Sequence, residues 1–66
     1  MFGVRLKFLR GKRLLTQEML AKELHVSVKT IQMYESGKRK PDYKMLIKIK
    51  RFFDVTITYL IGSTEE

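Results

Sequence analysis

Apolar side chains recur every three or four residues along nearly the whole chain, and no segment alternates as a half-buried strand does. Five such stripes follow one another, so the sequence predicts five helices and an all-α fold. The side chains expected to face the interior are Phe2, Leu6, Leu9, Leu20, Ala21, Leu24, Ile31, Tyr34, Leu46, Ile49, Phe53, Val55, Tyr59 and Leu60.

The ends of the predicted helices carry residues that favour caps and stops. A Ser, Thr or Asp side chain accepts from the free N–H groups of a first helical turn, and glycine tolerates the left-handed backbone that ends a helix. Thr16, Ser27 and Thr56 are the expected N-caps, a fourth helix opens at Pro41-Asp42, and Gly37 and Gly62 are expected stops. Residues 1–62 are therefore predicted to form one domain, followed by a short acidic tail at 63–66.

Composition removes several classes of function. Sixty-six residues make one domain with a small core and leave no room for an elaborate cleft. Cysteine is absent and histidine occurs once, so we expect no disulfide, metal or other cofactor. No apolar run of roughly 18 residues occurs, and the N-terminal segment is interrupted by Arg5, Lys7 and Arg10, so neither a membrane span nor a signal peptide is expected.

Charge points to a polyanionic partner. Fourteen Lys and Arg against seven acidic residues give a net charge of +7. Excess positive charge suits nucleic acid first and an anionic membrane surface second.

The third predicted helix has an unusual outer face. If Ile31 and Tyr34 point inward, a rotation of about 100° per residue places Lys29, Gln32, Met33 and Ser36 together on the other side. Val28 falls nearer the core side but lies at the helix start, where it can still point outward and join this face. Lys can donate to guanine, Gln can pair with adenine, and apolar side chains can touch a thymine methyl group. Taken alone, this face fits a major groove and an ordinary solvated surface equally well.

The ordered motifs decide between these interpretations. The chain resembles the Cro and phage-repressor type of helix-turn-helix domain, the xenobiotic-response-element family, in RLKFLR (5–10), LTQEMLAKEL (15–24), VS (26–27), TIQMYESGKRKP (30–41), LIKI (46–49) and VTITYLIG (55–62). The resemblance implies a compact five-helix, lambda-repressor-like DNA-binding domain. In that family, dimers bind operator DNA to control transcription.

The resemblance also implies roles for individual residues. The base-reading positions are Val28, Lys29, Gln32 and Met33, and the phosphate-contacting positions are Gln17, Ser27, Ser36, Lys38, Arg39 and Lys40. Arg10 and Glu35 are expected to form a structural ion pair. Lys48, Lys50 and Arg51 are expected to lie on a solvated face of the fourth helix.

A dimer interface is expected near the last helix, at Ile57, Tyr59, Leu60 and Ile61, with Phe52 beside them. Ile57 and Ile61 are favoured as its centre because they lie four residues apart and both are apolar. Phe52 and Lys50 depart from the family pattern where small residues are common, and two further positions depart where it favours glycine. His25 is expected to carry a positive φ in the turn, and Leu14 suggests that the first helix ends differently, near Gly11.

The sequence thus predicts a sequence-specific double-stranded DNA-binding regulator, a repressor acting as a homodimer on a pseudo-palindromic operator, with no membrane or small-molecule partner. A bacterial cytoplasm or nucleoid is the expected location, whether the gene is bacterial or phage-encoded. An antitoxin-like interaction module that binds DNA only for autoregulation stays open. A membrane-surface role for the basic helix at Val4–Arg13 would leave the motifs of residues 15–41 unexplained, and an enzyme fits least.

Overall fold

The computed structural model describes residues 1–62, which form five helices and short connections. The helices are α1 (Phe2–Lys12), α2 (Gln17–Leu24), α3 (Val28–Ser36), α4 (Tyr43–Phe53) and α5 (Ile57–Ile61). The predicted all-α, five-helix fold is confirmed. The predicted acidic tail at 63–66 lies outside the described residues.

Four helices begin at side-chain caps. In each case the cap oxygen accepts from the backbone N–H three residues later: Thr16 to Met19 at 3.0 Å, Ser27 to Thr30 at 3.1 Å, Asp42 to Met45 at 2.9 Å and Thr56 to Tyr59 at 3.0 Å. Such a cap stabilises a helix by about 1 kcal/mol. The caps therefore fix where α2 and α3 begin, and with them the length of the turn between these helices.

Side chains from all five helices meet in one core. Its buried members are Leu6, Leu20, Ala21, Leu24, Ile31, Tyr34, Ile49, Phe53 and Leu60, all of which the apolar stripes predicted. The helical period of each stripe places these residues on one side of their helix, where packing removes them from water. Val4 and Phe8 lie on the other side of α1 and stay more than half exposed, at 66% and 56%.

Gly3 lets α1 approach α3 closely. A Cβ atom at this position would lie 2.8 Å from the Glu35 carbonyl oxygen and would also collide with the Tyr34 carbonyl oxygen. Backbone atoms cannot move aside as a flexible side chain can. The crossing of α1 over the C-terminal half of α3 therefore depends on the missing side chain.

The first helix ends at Lys12, one residue past Gly11 and near where the sequence suggested. The chain then reverses with Leu14 in the left-handed conformation, at φ 57°. The reversal is closed by the N–H of Leu15 donating to the Arg10 carbonyl at 3.0 Å. A leucine therefore occupies a position that glycine would occupy without strain, and its side chain is 86% exposed.

Candidate nucleic-acid interface

A three-residue turn joins α2 to α3. His25 takes the left-handed conformation, at φ 60°, as the sequence predicted, and the Val26 N–H donates to the Ala21 carbonyl at 3.0 Å. Ser27 then caps α3, so each residue of the turn has a definite backbone role. The turn holds α3 against α2 with one side of α3 facing outward.

The outer side of α3 carries polar side chains. Lys29, Gln32 and Ser36 are exposed, while Ile31 and Tyr34 on the opposite side are buried at 0% and 4% exposure. The structure therefore shows the predicted division of α3 into a buried face and an exposed polar face. Two side chains of different hydrogen-bonding character lie on that surface, the Lys29 ammonium, which only donates, and the Gln32 amide, which both donates and accepts.

The two apolar positions of the predicted face are less accessible. Met33 is half-buried at the edge of the face. Val28 is also half-buried and packs against the hydrophobic core, so the expectation that it points outward needs correction. The reason is its position in the first turn of α3, where the start of the helix lies close to the core.

Both serines of the predicted interface have hydrogen-bonding partners within the chain. The Ser27 hydroxyl accepts from the Thr30 N–H at 3.1 Å and lies 2.9 Å from the Thr30 hydroxyl. The Ser36 hydroxyl donates to the Met33 carbonyl at 3.2 Å. The Ser36 proton is therefore used within the chain, whereas either hydroxyl of the Ser27–Thr30 pair can be the donor, so Ser27 can still donate to a phosphate oxygen.

A basic loop, Lys38–Lys40, follows α3 directly. Gly37, at φ 81°, reverses the chain, and the Lys38 N–H donates to the Met33 carbonyl at 2.9 Å. The three side chains of the basic loop are exposed. Its backbone is therefore fixed to the end of α3 while its charges face solvent. The Arg39 charge also lies near the Tyr34 phenol, whose pKa is raised by burial and lowered by Arg39, with a net rise.

The predicted ion pair lies beneath this end of α3. Arg10 Nε is 2.6 Å from Glu35 Oε2, and Arg10 Nη2 is 3.1 Å from Oε1, with the two side chains 16% and 5% exposed. The hydrogen bond to Glu35, opposed by burial and helped by the carboxylate charge, raises the pKa of Arg10 above its ordinary value. The guanidinium therefore stays charged, and it donates a third hydrogen bond to the Leu15 carbonyl at 2.8 Å.

Gln17 joins this ion pair. Its amide nitrogen donates to Glu35 Oε1 at 3.1 Å, and the residue is half-buried. The predicted phosphate contact is therefore left to the second amide hydrogen and to the backbone N–H groups at the start of α2. Arg10, Glu35 and Gln17, hereafter the junction, tie α1, the start of α2 and the end of α3 together.

The predicted dimer residues lie in different environments. Leu60 is fully buried in the core, so it cannot contact a second protomer and drops out of the set. Tyr59 is half-buried beneath the Arg5 guanidinium, which lies 4.5 Å from its ring centre. Ile61 is 47% exposed, and Ile57 and Phe52 are half-buried. The accessible apolar surface of α5 is thus centred on Ile61.

Two cations have structural roles that the sequence did not show. Arg13 Nη1 donates to the Phe52 carbonyl at 2.8 Å, and its guanidinium lies 5.3 Å from the Phe52 ring centre. Lys48, expected on a solvated face, has its Nζ 2.6 Å from the Leu24 carbonyl. Both bonds join residues more than 20 positions apart, so no local signal could have indicated them.

Other kinds of site find no support in residues 1–62. Within this range, no three His, Cys, Asp or Glu side chains are grouped so as to hold a metal ion. None of the five helices is long and apolar enough to cross a membrane. The polar face of α3 and the basic loop are therefore the surfaces to compare with known proteins.

Two short helices, a tight turn and a polar outer face on the second helix define the helix-turn-helix class. The chain belongs to the helix-turn-helix family, whose pattern matches residues 6–60. This family binds DNA, and membership supports the prediction that the chain is not an enzyme.

Individual relatives agree with this assignment. The chain is 41% identical to the HTH-type transcriptional regulator YqaE of Bacillus subtilis over all of its own length and 58% of that protein. It is 44% identical to the HTH-type transcriptional activator BcrR of Enterococcus faecalis over 97% of its length and 31% of that protein. The chain thus spans less than two thirds of either relative. The crystal structure of a transcriptional regulator from Listeria innocua superposes with a TM-score of 0.92, at 32% identity, over 100% of this chain and 62% of that one.

Proposed function

We propose that the protein is a sequence-specific double-stranded DNA-binding transcriptional regulator that places α3 in the major groove of a pseudo-palindromic operator. The observation that carries this proposal is the outer face of α3, where Lys29 and Gln32 are exposed on a helix whose other side is buried. The major groove of B-DNA, about 12 Å wide, admits one helix. YqaE and BcrR, which are similar to nearly the whole chain in sequence, are named as transcriptional regulators.

Base reading is assigned to the middle of that face. The Lys29 ammonium can donate to the O6 and N7 atoms of guanine, and the Gln32 amide can both donate to and accept from adenine. Met33, half-buried at the edge of the face, is suited to a thymine methyl group. Val28 is given a smaller part because it packs against the core.

Phosphate contacts are assigned to the basic loop and to the start of α2. Lys38, Arg39 and Lys40 are exposed and lie next to the C-terminal end of α3. Gln17 begins α2, where backbone N–H groups favour an anion. Such contacts hold the helix in register on the duplex without selecting sequence. Ser27 and Ser36 are secondary candidates because their hydroxyls already have partners in the chain.

Binding as a homodimer follows from the size of the reading surface. One α3 contacts only a few base pairs, and two copies related by a twofold axis read half-sites about 34 Å apart. We assign the dimer contact to Ile57 and Ile61, with Tyr59 and Phe52 at its border. Ile61 is a leucine-sized apolar side chain that is 47% exposed on α5.

The direction of regulation is proposed as repression, exerted in the bacterial cytoplasm. BcrR is named as an activator, so relatives of this kind are not restricted to repression. Activation and repression differ in where the operator lies relative to a promoter. A reporter gene with the selected operator overlapping the promoter should fall in expression when the protein is supplied, and a rise would contradict the repressor assignment.

Selection of bound duplexes from a random DNA pool tests the central proposal. We expect a palindromic sequence preferred over scrambled DNA by roughly 10³-fold or more. Binding to all sequences alike, fading with salt, would contradict sequence-specific reading and would favour an interaction module for which DNA is secondary. Sedimentation of the protein with the selected duplex should show two protomers, and a single protomer would contradict the dimer.

A further inference from the structure

The turn between α2 and α3 is held from outside by one side chain. Lys48 of α4 extends to the C-terminal end of α2, where its Nζ lies 2.6 Å from the Leu24 carbonyl oxygen. Leu24 is the last residue of α2, and its side chain is buried at 1% exposure. The bond therefore joins α4 to a point that the core already anchors, one residue before the left-handed His25.

Lys48 adds a hydrogen-bond donor at the C-terminal end of α2. The last carbonyl groups of a helix have no partner within it. Here the turn itself satisfies two of them, because the Val26 N–H donates to the Ala21 carbonyl and the His25 N–H to the Lys22 carbonyl, at 3.0 and 3.3 Å. The Leu24 carbonyl accepts a hydrogen bond from the Lys48 ammonium of α4. The positive charge of Lys48 also interacts favourably with the negative C-terminal end of the α2 dipole.

Two contacts hold α2 and α3 in place, one where the start of α2 meets the end of α3 and the other at the turn between them. The junction ties the start of α2 to the end of α3, through Gln17 and Glu35. At the opposite end, Lys48 holds the Leu24 carbonyl three residues before the cap of α3. Both ends of α3 are therefore positioned, one directly and the other through the turn.

We propose that Lys48 is a positioning residue for sequence reading, which sets the orientation of α3 through the turn and does not contact bases itself. This inference rests on the proposed DNA-binding function. Lys48 is exposed as a residue, but its bond to the Leu24 carbonyl is partly buried. Its effect is geometric, because base-reading side chains must be held to within about 0.5 Å to discriminate between base pairs.

The experiment compares Lys48→Met with Lys44→Met on the selected operator and on scrambled DNA. Both variants remove one positive charge from α4, but Lys44 is exposed and forms no side-chain hydrogen bond among the described residues. We expect Lys48→Met to lower the ratio of operator to scrambled affinity by about fivefold or more, the loss typical of one mispaired contact. Lys44→Met should lower both affinities alike, and Lys48→Arg should restore the ratio because its guanidinium can donate to the same carbonyl. An unchanged ratio in Lys48→Met would overturn the proposal.

A second measurement needs no DNA. Amide hydrogen exchange of the folded protein should speed up at His25 and Val26 in Lys48→Met and stay unchanged in Lys44→Met. Turn amides that exchange alike in both variants would overturn the positioning role even if no operator were found. If the wild-type protein selects no sequence but the turn amides respond as expected, the proposed function fails while Lys48 still holds the turn. If the turn amides respond and the affinity ratio does not, the link from the turn to sequence reading is wrong.

Discussion

Two charged regions border the C-terminal end of α3, the junction and the basic loop, and they differ in how their cations are paired. In the junction, Arg10 donates two hydrogen bonds to Glu35 at 2.6 and 3.1 Å, and both side chains are largely buried. In the basic loop, Lys38, Arg39 and Lys40 face solvent, and none forms an ion pair with a residue in the 1–62 range. The Arg10 charge is therefore paired within the chain, whereas the charges of the basic loop face solvent.

The difference shows what net charge can and cannot indicate. The value of +7 counts Arg10, Arg13 and Lys48 with the rest, although each of these donates to a group of its own chain. Of these three, Arg10 is also neutralised by a carboxylate, whereas the cations of the basic loop face solvent directly after α3. Variants in the two regions should accordingly affect different properties, folding stability in the junction and DNA affinity in the basic loop.

The largest effect is expected for Glu35→Ala. Removing the carboxylate leaves the partly buried Arg10 guanidinium without its partner, and breaking such a pair from one side costs about 3 kcal/mol. Urea unfolding measures the loss. Glu23→Ala, which removes an exposed carboxylate, is the control and should change stability by no more than about 0.5 kcal/mol. Equal unfolding curves for the two variants would show that the junction does not stabilise the fold.

Gly3→Ala should have the next largest effect, because it adds a methyl group where α1 crosses α3 above the junction. The new Cβ would collide with the backbone carbonyls of Tyr34 and Glu35, which we expect to cost about 1–3 kcal/mol. Gly11→Ala is the matched control on the same helix, since nothing lies within 4 Å of its Cβ position. It should instead stabilise the protein by up to about 1 kcal/mol. Thermal melting of both variants separates the two outcomes, and a shift in the same direction would contradict the close crossing.

Lys40→Ala should leave the unfolding curve within about 0.5 kcal/mol of the wild type, because the side chain is exposed. It should weaken binding to operator and scrambled DNA alike and reduce the slope of log affinity against log salt by about one. A fall in stability comparable with that of Glu35→Ala would erase the distinction between the two regions.

The smallest effect is expected for Leu14→Gly, at the reversal beside the junction. The left-handed conformation costs a leucine about 1–2 kcal/mol, and part of the gain is lost to the greater freedom of glycine in the unfolded chain. We expect a stabilisation of about 0.5 kcal/mol, measured by urea unfolding. Leu14→Ala keeps the Cβ atom and should show no gain. Destabilisation by Leu14→Gly would mean that the exposed leucine side chain has contacts of its own.

Local patterns were enough to predict the helices and the core. The caps at Thr16, Ser27 and Thr56 act within three residues, and the buried stripes follow from the period of the helix. The left-handed conformation of His25 was predicted from the resemblance, because the family pattern favours glycine at that position.

The contacts between distant residues were not predictable from spacing. Lys48 reaches Leu24 across 24 positions, and Gln17 turns its amide to Glu35 instead of leaving it free for DNA. Leu60 and Ile61 are adjacent and both apolar, yet one is fully buried and the other is 47% exposed. Such choices depend on how helices pack in three dimensions, which a one-dimensional pattern does not contain.

The most direct test of the account is a base-pair substitution series on the selected operator, read with the wild-type protein and with Gln32→Ala. We predict that Gln32→Ala removes the preference at one base pair per half-site, worth about 1–3 kcal/mol, and leaves the other positions unchanged. Lys40→Ala, measured beside it, should lower every affinity by the same factor. A uniform loss in both variants would contradict the assignment of the outer face of α3 as the surface that reads DNA sequence.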